Sequence, residues 1–266
     1  MNRILDVPGA RLHFEVRGEG PLVVLVGAPM DARSFAPLAD LLANDHTVLT
    51  TDPRGINRSA VADRDADSTP EQRADDLARL IGHVGAGPAA VLGSSGGAVS
   101  VLALAEARPE LVDLVIAHEP PLNGLLEDRE ELFAETEEII AAYVAGDVVG
   151  SWRKFMALAN IGMPEPLFQM FFGGPRDPQT AADELFQYEH MIRPSTRWLP
   201  DVERLRAAPL LIGLGEESTG QLCERTSKAL GGLLGLEPTM FPGGHTGFAE
   251  EPEKFAVRLR EVLAER

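Results

Sequence analysis

Val91-Leu92-Gly93-Ser94-Ser95-Gly96-Gly97 is the stretch whose reading decides the fold. It joins a short apolar run, residues 89–92, to a segment that reads as helix from Gly96 to about Arg108, just before Pro109. The pattern is G-x-S-x-G with Ser95 at its centre. A sharp strand-to-helix turn brings backbone segments so close that flanking Cβ atoms would clash, and Gly93 and Gly97 remove them. Ser94 is the competing serine, but the glycine spacing selects Ser95. The helix that follows points its free N–H groups and the positive end of its dipole at Ser95, which favours negative charge there. In a chain with 26 glycines such a pattern can arise by chance. The strand before it and the helix after it are what make it informative.

Outward from this turn, further short runs are apolar on both faces: residues 22–26, 47–49, 114–117 and 210–214. Strands of that kind belong to a parallel sheet covered by helices. Residues 11–16 alternate apolar and polar, as a half-exposed edge strand does. Thr69-Pro70-Glu71-Gln72 marks a helix start, with Thr69 as N-cap, Pro70 in the first helical position and Gln72 closing a capping box. Leu77, Leu80, Ile81 and Val84 follow at helical spacing. Strand and helix alternate as in a doubly wound α/β fold.

The rhythm breaks between about Pro120 and Pro209. Leu125/Leu126, Leu132/Phe133 and Ile139/Ile140 recur at seven-residue steps with glutamates between them, which predicts an amphipathic helix with an acidic outer face. Three repeats are barely enough for a coiled coil. Trp152, Phe155, Met156, Met163, Phe168, Met170, Phe171 and Phe172 then make a Met- and Phe-rich region. It reads as a small core and, equally, as an adaptable apolar lid over a pocket.

A serine hydroxyl needs a base. Of the six histidines, His245 stands out, because Pro242-Gly243-Gly244-His245-Thr246-Gly247 is a glycine-flanked loop between the last apparent strand and the C-terminal helix. With these residues in view, the chain resembles the α/β-hydrolase fold superfamily over nearly its whole length outside the lid. Leu25-Val26-Gly27-Ala28-Pro29 resembles that family's oxyanion loop, with Val26 where a histidine is usual. Asp52-Pro53-Arg54-Gly55-Ile56-Asn57-Arg58-Ser59 resembles its D-x-R-G-x-G-x-S stretch, with Asn57 in place of the second glycine.

The resemblance implies a mostly parallel eight-stranded sheet with helices on both faces, and a helical lid after the sixth strand. The core domain would comprise residues 1–120 and 206–266, and the lid residues 121–205. It also implies Ser95 as nucleophile, His245 as base, and the backbone N–H groups of Ala28 and Gly96 as oxyanion donors. Two glutamates compete as the triad acid. Glu217, in Gly215-Glu216-Glu217-Ser218, lies 28 positions before His245, where related hydrolases carry their acid after the seventh strand. Glu119 ends the sixth strand, 24 positions after Ser95, where another branch places it. We favour Glu217 from sequence.

The expected activity is cofactor-free, metal-free serine hydrolysis of an ester, lactone or thioester of a small apolar substrate. C–C bond hydrolysis, lyase or perhydrolase chemistry on the same fold is the alternative, with a non-catalytic binding protein a more distant one. Epoxide hydrolase and dehalogenase readings would need Asp at position 95.

The bulk numbers agree. There are 24 Lys and Arg against 41 Asp and Glu, a formal charge of −17, which argues against nucleic acid and against anionic membrane surfaces. One cysteine, Cys223, permits no internal disulfide. The N-terminal residues hold no apolar run of signal-peptide length, and no segment is long enough for a membrane span. A soluble cytoplasmic protein acting on a small molecule is the expectation. Apolar lid residues could also serve a homo-oligomer.

Overall fold

The alternating apolar runs become one nine-stranded sheet in the computed structural model, which describes residues 2–265. Its strands are β1 (Asn2–Val7), β2 (Ala10–Arg17), β3 (Leu22–Val26), β4 (Thr47–Thr51), β5 (Ala60–Val61), β6 (Ala89–Ser94), β7 (Val112–His118), β8 (Leu210–Gly215) and β9 (Thr239–Phe241). The spatial order is β1-β2-β4-β3-β6-β7-β8-β9, and β5 pairs with β2 off this path. From β4 across to β9 every pairing is parallel, while β2 runs antiparallel to β1, β4 and β5. The eight strands expected are therefore joined by a two-residue ninth, β5. So short a pairing leaves no periodicity in the sequence.

The parallel strands are apolar throughout because their two faces bury different partners. Val24, Val91 and Val115 pack on one side with α2 (Pro70–Val84) and α3 (Gly96–Ala107), whereas Val23, Leu25, Ala90, Leu92 and Ile116 pack on the other. That second side is covered by α1 (Ala36–Leu42) and, near the C-terminus, by Phe255, Leu259 and Val262. Full burial of one such side chain contributes about 1.5–3 kcal/mol. The predicted start of α2 is present in detail: Gln72 N–H donates to Thr69 Oγ1, and Thr69 N–H donates to Gln72 Oε1.

Between β7 and β8 the chain forms α4 (Arg129–Val144), α5 (Val148–Ala159), α6 (Glu165–Phe172), α7 (Pro178–Phe186), α8 (Ile192–Thr196) and α9 (Val202–Arg206). Three more helices, α10 (Leu222–Leu234), α11 (Gly247–Glu250) and α12 (Pro252–Ala264), complete the chain. The helix expected from the paired apolar residues begins later than its pattern, since Leu125 ends a short 3₁₀ turn before it and Leu126 follows that turn in extended conformation. Glu130 and Glu131 in its first turn suit the positive end of the helix dipole.

This segment has a small core of its own. Ile139, Ile140, Tyr143 and Tyr188 are buried together, with the two tyrosine rings stacked at 4.4 Å and Trp152 stacked on Phe172 at 4.5 Å. It is also tied to the sheet layer. The buried Arg73 guanidinium on α2 donates to Ser100 Oγ at 2.8 Å, to Ser195 Oγ on α8 at 2.9 Å, and to the Ser68 carbonyl. Phe186 of α7 packs on Gly55 so closely that a Cβ there would overlap its ring. Among the described residues no helix is long and apolar enough to cross a membrane.

Candidate active site

The sheet order fixes where a site can form. After β3 the chain crosses toward β4, and after β6 it crosses the other way toward β7, with α1 and α3 on opposite faces. The crevice beyond the C-terminal ends of β3 and β6 is therefore the topological switch point, where α/β sheets bind ligands. Ala28 follows β3 and Ser95 follows β6.

Ser95 sits between β6 and α3 at φ 57° and ψ −127°, a conformation that L-residues seldom adopt. Its N–H donates to the His118 carbonyl at 3.0 Å. The flanking glycines are needed for the reason read from sequence: a Cβ on Gly93 would overlap the Gly97 carbonyl, and one on Gly97 would overlap the Val26 carbonyl. A Cβ on Gly96 would stand 2.5 Å from the Ala28 carbonyl oxygen, so these two backbones touch. Gly96 opens α3, where the first N–H groups have no acceptor within the helix.

The loop carrying Ala28 is held by Asp52 at the end of β4. Its buried carboxylate accepts from Ala32 N–H at 3.0 Å and from Arg58 Nε and Nη2 at 2.8 and 2.9 Å. Asn57, at the position of the missing second glycine, has φ 50° and its side chain donates to Asp31 at 2.8 Å. Asparagine tolerates that left-handed conformation better than most residues, so the turn survives the replacement. Arg54 closes the stretch with two bonds to Asp76, at 2.7 and 2.6 Å.

His245 lies on the loop between β9 and α11, and its Nδ1 is 2.5 Å from Glu119 Oε2. Glu119 is fully buried, one residue beyond β7, at φ 52°. Its second oxygen accepts from Gly215 N–H at 2.8 Å. Burial, the largest single effect, would push its pKa up, but the hydrogen bond from His245 and the charges of the two neighbouring imidazoles together outweigh it and hold the carboxyl well below the usual range. His118 beside it is buried, which lowers its pKa to about 4. It is therefore neutral near pH 7.

Glu217 is placed differently from the sequence expectation. Its side chain is exposed, and its connection to the histidine loop is through backbone, Glu217 N–H to the Gly243 carbonyl at 3.0 Å. Beyond Gly215 the chain turns at once, with Ser218 N–H bonded back to the Gly215 carbonyl at 3.1 Å, and this turn directs Glu217 to solvent. The structure brings His245 together with Glu119 and not with Glu217.

Ser95, Glu119 and His245 line one cavity of about 130 Å³, whose walls are otherwise mainly apolar and include Ile139, Phe155 and Leu222. Two of these, Ile139 and Phe155, come from the helices between β7 and β8. Two lining residues carried no signal in the sequence reading. Asn123 follows Glu119 by four residues with no motif around it, and Cys223 is a lone cysteine. The Cys223 thiol is driven strongly toward its protonated form by burial and by nearby Glu119. Ligand atoms of Glu119, Cys223 and His245 lie within 4.8 Å of one another, the spacing a metal ion would need. Glu119 and His245 are already joined to each other, and the second Glu119 oxygen is taken by Gly215.

Comparison with known proteins adds the relationship. A hydrolase from Bacillus subtilis (strain 168), the uncharacterized YraK, is 32% identical over 277 aligned residues that span 98% of this chain and 96% of YraK. A zearalenone hydrolase from Bionectria ochroleuca is 26% identical over 270 residues, 96% of this chain and 94% of that one. Among solved structures, an esterase from Exiguobacterium antarcticum superposes with a TM-score of 0.74 at 20% identity, covering 99% of this chain and all of the esterase. The sequence profile of the alpha/beta hydrolase family matches residues 22–258, and the chain is therefore a hydrolase belonging to that family.

Proposed function

We propose that this protein is a cofactor-free serine hydrolase that cleaves an ester, lactone or thioester of a small apolar substrate through Ser95, His245 and Glu119. The observation that carries the reading is the convergence, in one cavity, of a serine at a strained strand-to-helix turn with a histidine bonded to a buried carboxylate. The hydrolase and esterase relatives support it. Ser95 Oγ attacks the acyl carbon while His245 Nε2 takes its proton. Glu119 keeps the other ring nitrogen protonated and stabilises the imidazolium without taking a proton itself. The tetrahedral oxyanion accepts hydrogen bonds from the N–H groups of Ala28 and Gly96, each worth about 3 kcal/mol in such sites. His245 returns its proton to the leaving alcohol or thiol. It then deprotonates the water that releases the acid from Ser95.

Residues 121–205 act in this reading as the lid, since Ile139 and Phe155 supply apolar wall above the reacting groups. The test is labelling by a fluorophosphonate, with hydrolysis of short p-nitrophenyl esters measured in parallel. Wild type should label and hydrolyse, and Ser95→Ala should do neither. A folded wild-type protein that does not label would sink the nucleophile assignment.

A further inference from the structure

Apart from the reacting groups, the polar side chains lining the cavity are Asn123, Thr136, Thr196 and Cys223, and three of them are already engaged. Thr136 Oγ1 donates to the Leu132 carbonyl at 2.7 Å and Thr196 Oγ1 to the Ile192 carbonyl at 2.9 Å, each within its own helix. Cys223 Sγ lies 3.6 Å from Gln221 Oε1. Asn123 is different. It is 2% exposed and its amide oxygen is buried without a hydrogen-bond partner. Leaving such a group unpaired costs about 1–3 kcal/mol, and because Asn123 lines the cavity, a ligand donor that reaches this oxygen would recover that cost.

Its backbone is held in place. Asn123 N–H donates to the Pro121 carbonyl at 3.0 Å, Leu126 N–H returns to the Asn123 carbonyl at 3.0 Å, and Leu122 before it is fully buried. Gly124 after it packs against Leu199, whose Cδ2 would be 3.0 Å from a Cβ at that position. A polar group on so fixed a turn, four residues from Glu119, is suited to orient a substrate relative to the reacting atoms.

We propose that Asn123 is a specificity-determining residue, and that the substrate carries a hydroxyl on the part buried in this cavity, where it hydrogen-bonds the Asn123 amide. A hydroxyl carries the O–H donor that the unpartnered amide oxygen lacks. The cavity, about 130 Å³, is close in size to an engineered apolar cavity of about 150 Å³ that takes one benzene ring. The group it accepts is therefore a hydroxylated fragment of about one six-membered ring. This specificity rests on the serine-hydrolase reading only for the identity of the bond cleaved.

The test uses ketones that mimic the ester but cannot be hydrolysed: benzylacetone and its meta- and para-hydroxylated counterparts, with binding measured by calorimetry. In wild type at least one hydroxylated ketone should bind about tenfold or more tighter than benzylacetone, and in Asn123→Leu that ratio should fall to within about threefold. Equal affinities in wild type, which need no variant, would overturn the proposal, and so would a preference that persists in Asn123→Leu. Fluorophosphonate labelling of Ser95 reads the catalytic assignment separately. A labelled enzyme without hydroxyl preference loses only the Asn123 role, and hydroxyl preference without labelling loses only the nucleophile.

Discussion

Replacing Glu119 by Gln removes the charge facing His245 while keeping nearly the same shape. In the wild-type site the carboxylate oxygen 2.5 Å from Nδ1 is fully buried, and the other oxygen is held by Gly215. The glutamine amide would either present N–H to Nδ1, forcing the proton onto Nε2 where it blocks proton abstraction, or present oxygen without charge to the forming imidazolium. The equivalent change in a serine-protease triad costs about 10⁴-fold in kcat, or about 5 kcal/mol of transition-state stabilisation. We expect a loss of about 10³- to 10⁴-fold for Glu119→Gln in steady-state hydrolysis of p-nitrophenyl butyrate, with KM changing far less than kcat. Glu217→Gln alters an exposed side chain and should stay within about threefold of wild type. The reverse ranking would refute the assignment of the acid, as would a Glu119→Gln enzyme retaining a tenth of wild-type kcat.

Strain at Ser95 predicts that Ser95→Gly is more stable than Ser95→Ala by about 1 kcal/mol, although both are inactive, because only glycine occupies φ 57°, ψ −127° without penalty. Chemical denaturation checks it, and an equal or reversed order contradicts the strained turn. His118 is neutral when buried, with its pKa lowered to about 4 from an ordinary value of 6.5. The unfolded chain therefore binds a proton at this residue below pH 6.5 that the folded chain does not take until about pH 4, so stability is lost as pH falls through that window. His118→Gln should lose up to about 3 kcal/mol less than wild type between pH 6.5 and 4 in urea melts, and parallel profiles would count against it. Gly55→Ala combines φ 83° with a Cβ driven into Phe186, and should lower stability by about 2 kcal/mol or more. A thermal shift within about a degree of wild type would mean that Phe186 is free to move.

Much of the fold was legible because it rests on local rules. Residues 22–26 and 89–92 are apolar on every position because each strand is buried on both faces, and Thr69-Pro70-Glu71-Gln72 marked its helix because the capping box satisfies donors that no helix residue can. The glycines around Ser95 were readable for the same reason, since the overlap they avoid lies within a few residues. What escaped depends on distance. β1 has no continuous apolar run and is defined by pairing with β2, and β5 is two residues long. Asn123 looks like any turn asparagine until α4, α5 and α8 close the cavity around it.

The carboxylate paired with His245 shows why proximity in sequence could not decide between two good candidates. β7 and β8 are parallel neighbours, with His118, the last residue of β7, opposite Gly213, so β8 runs only two residues further before the chain leaves the sheet. Both exits also touch the histidine loop: Glu119 through its carboxylate, Glu217 through a backbone bond to Gly243. Spacing from Ser95 or from His245 reports only that the exits are adjacent, and it suits either residue. The choice is made by backbone direction after the last strand residue. At Glu119 a positive φ of 52° turns the side chain back under His245, where Gly215 N–H completes its hydrogen bonding. After Gly215 the turn closed by Ser218 sends Glu217 outward, and Gly215 itself can lie so close to the loop only because it lacks a Cβ, which would stand 2.7 Å from the Gly243 carbonyl oxygen. A carboxylate acquires the strength to hold an imidazole by losing its water, and of the two exits only the one after β7 is buried enough for that.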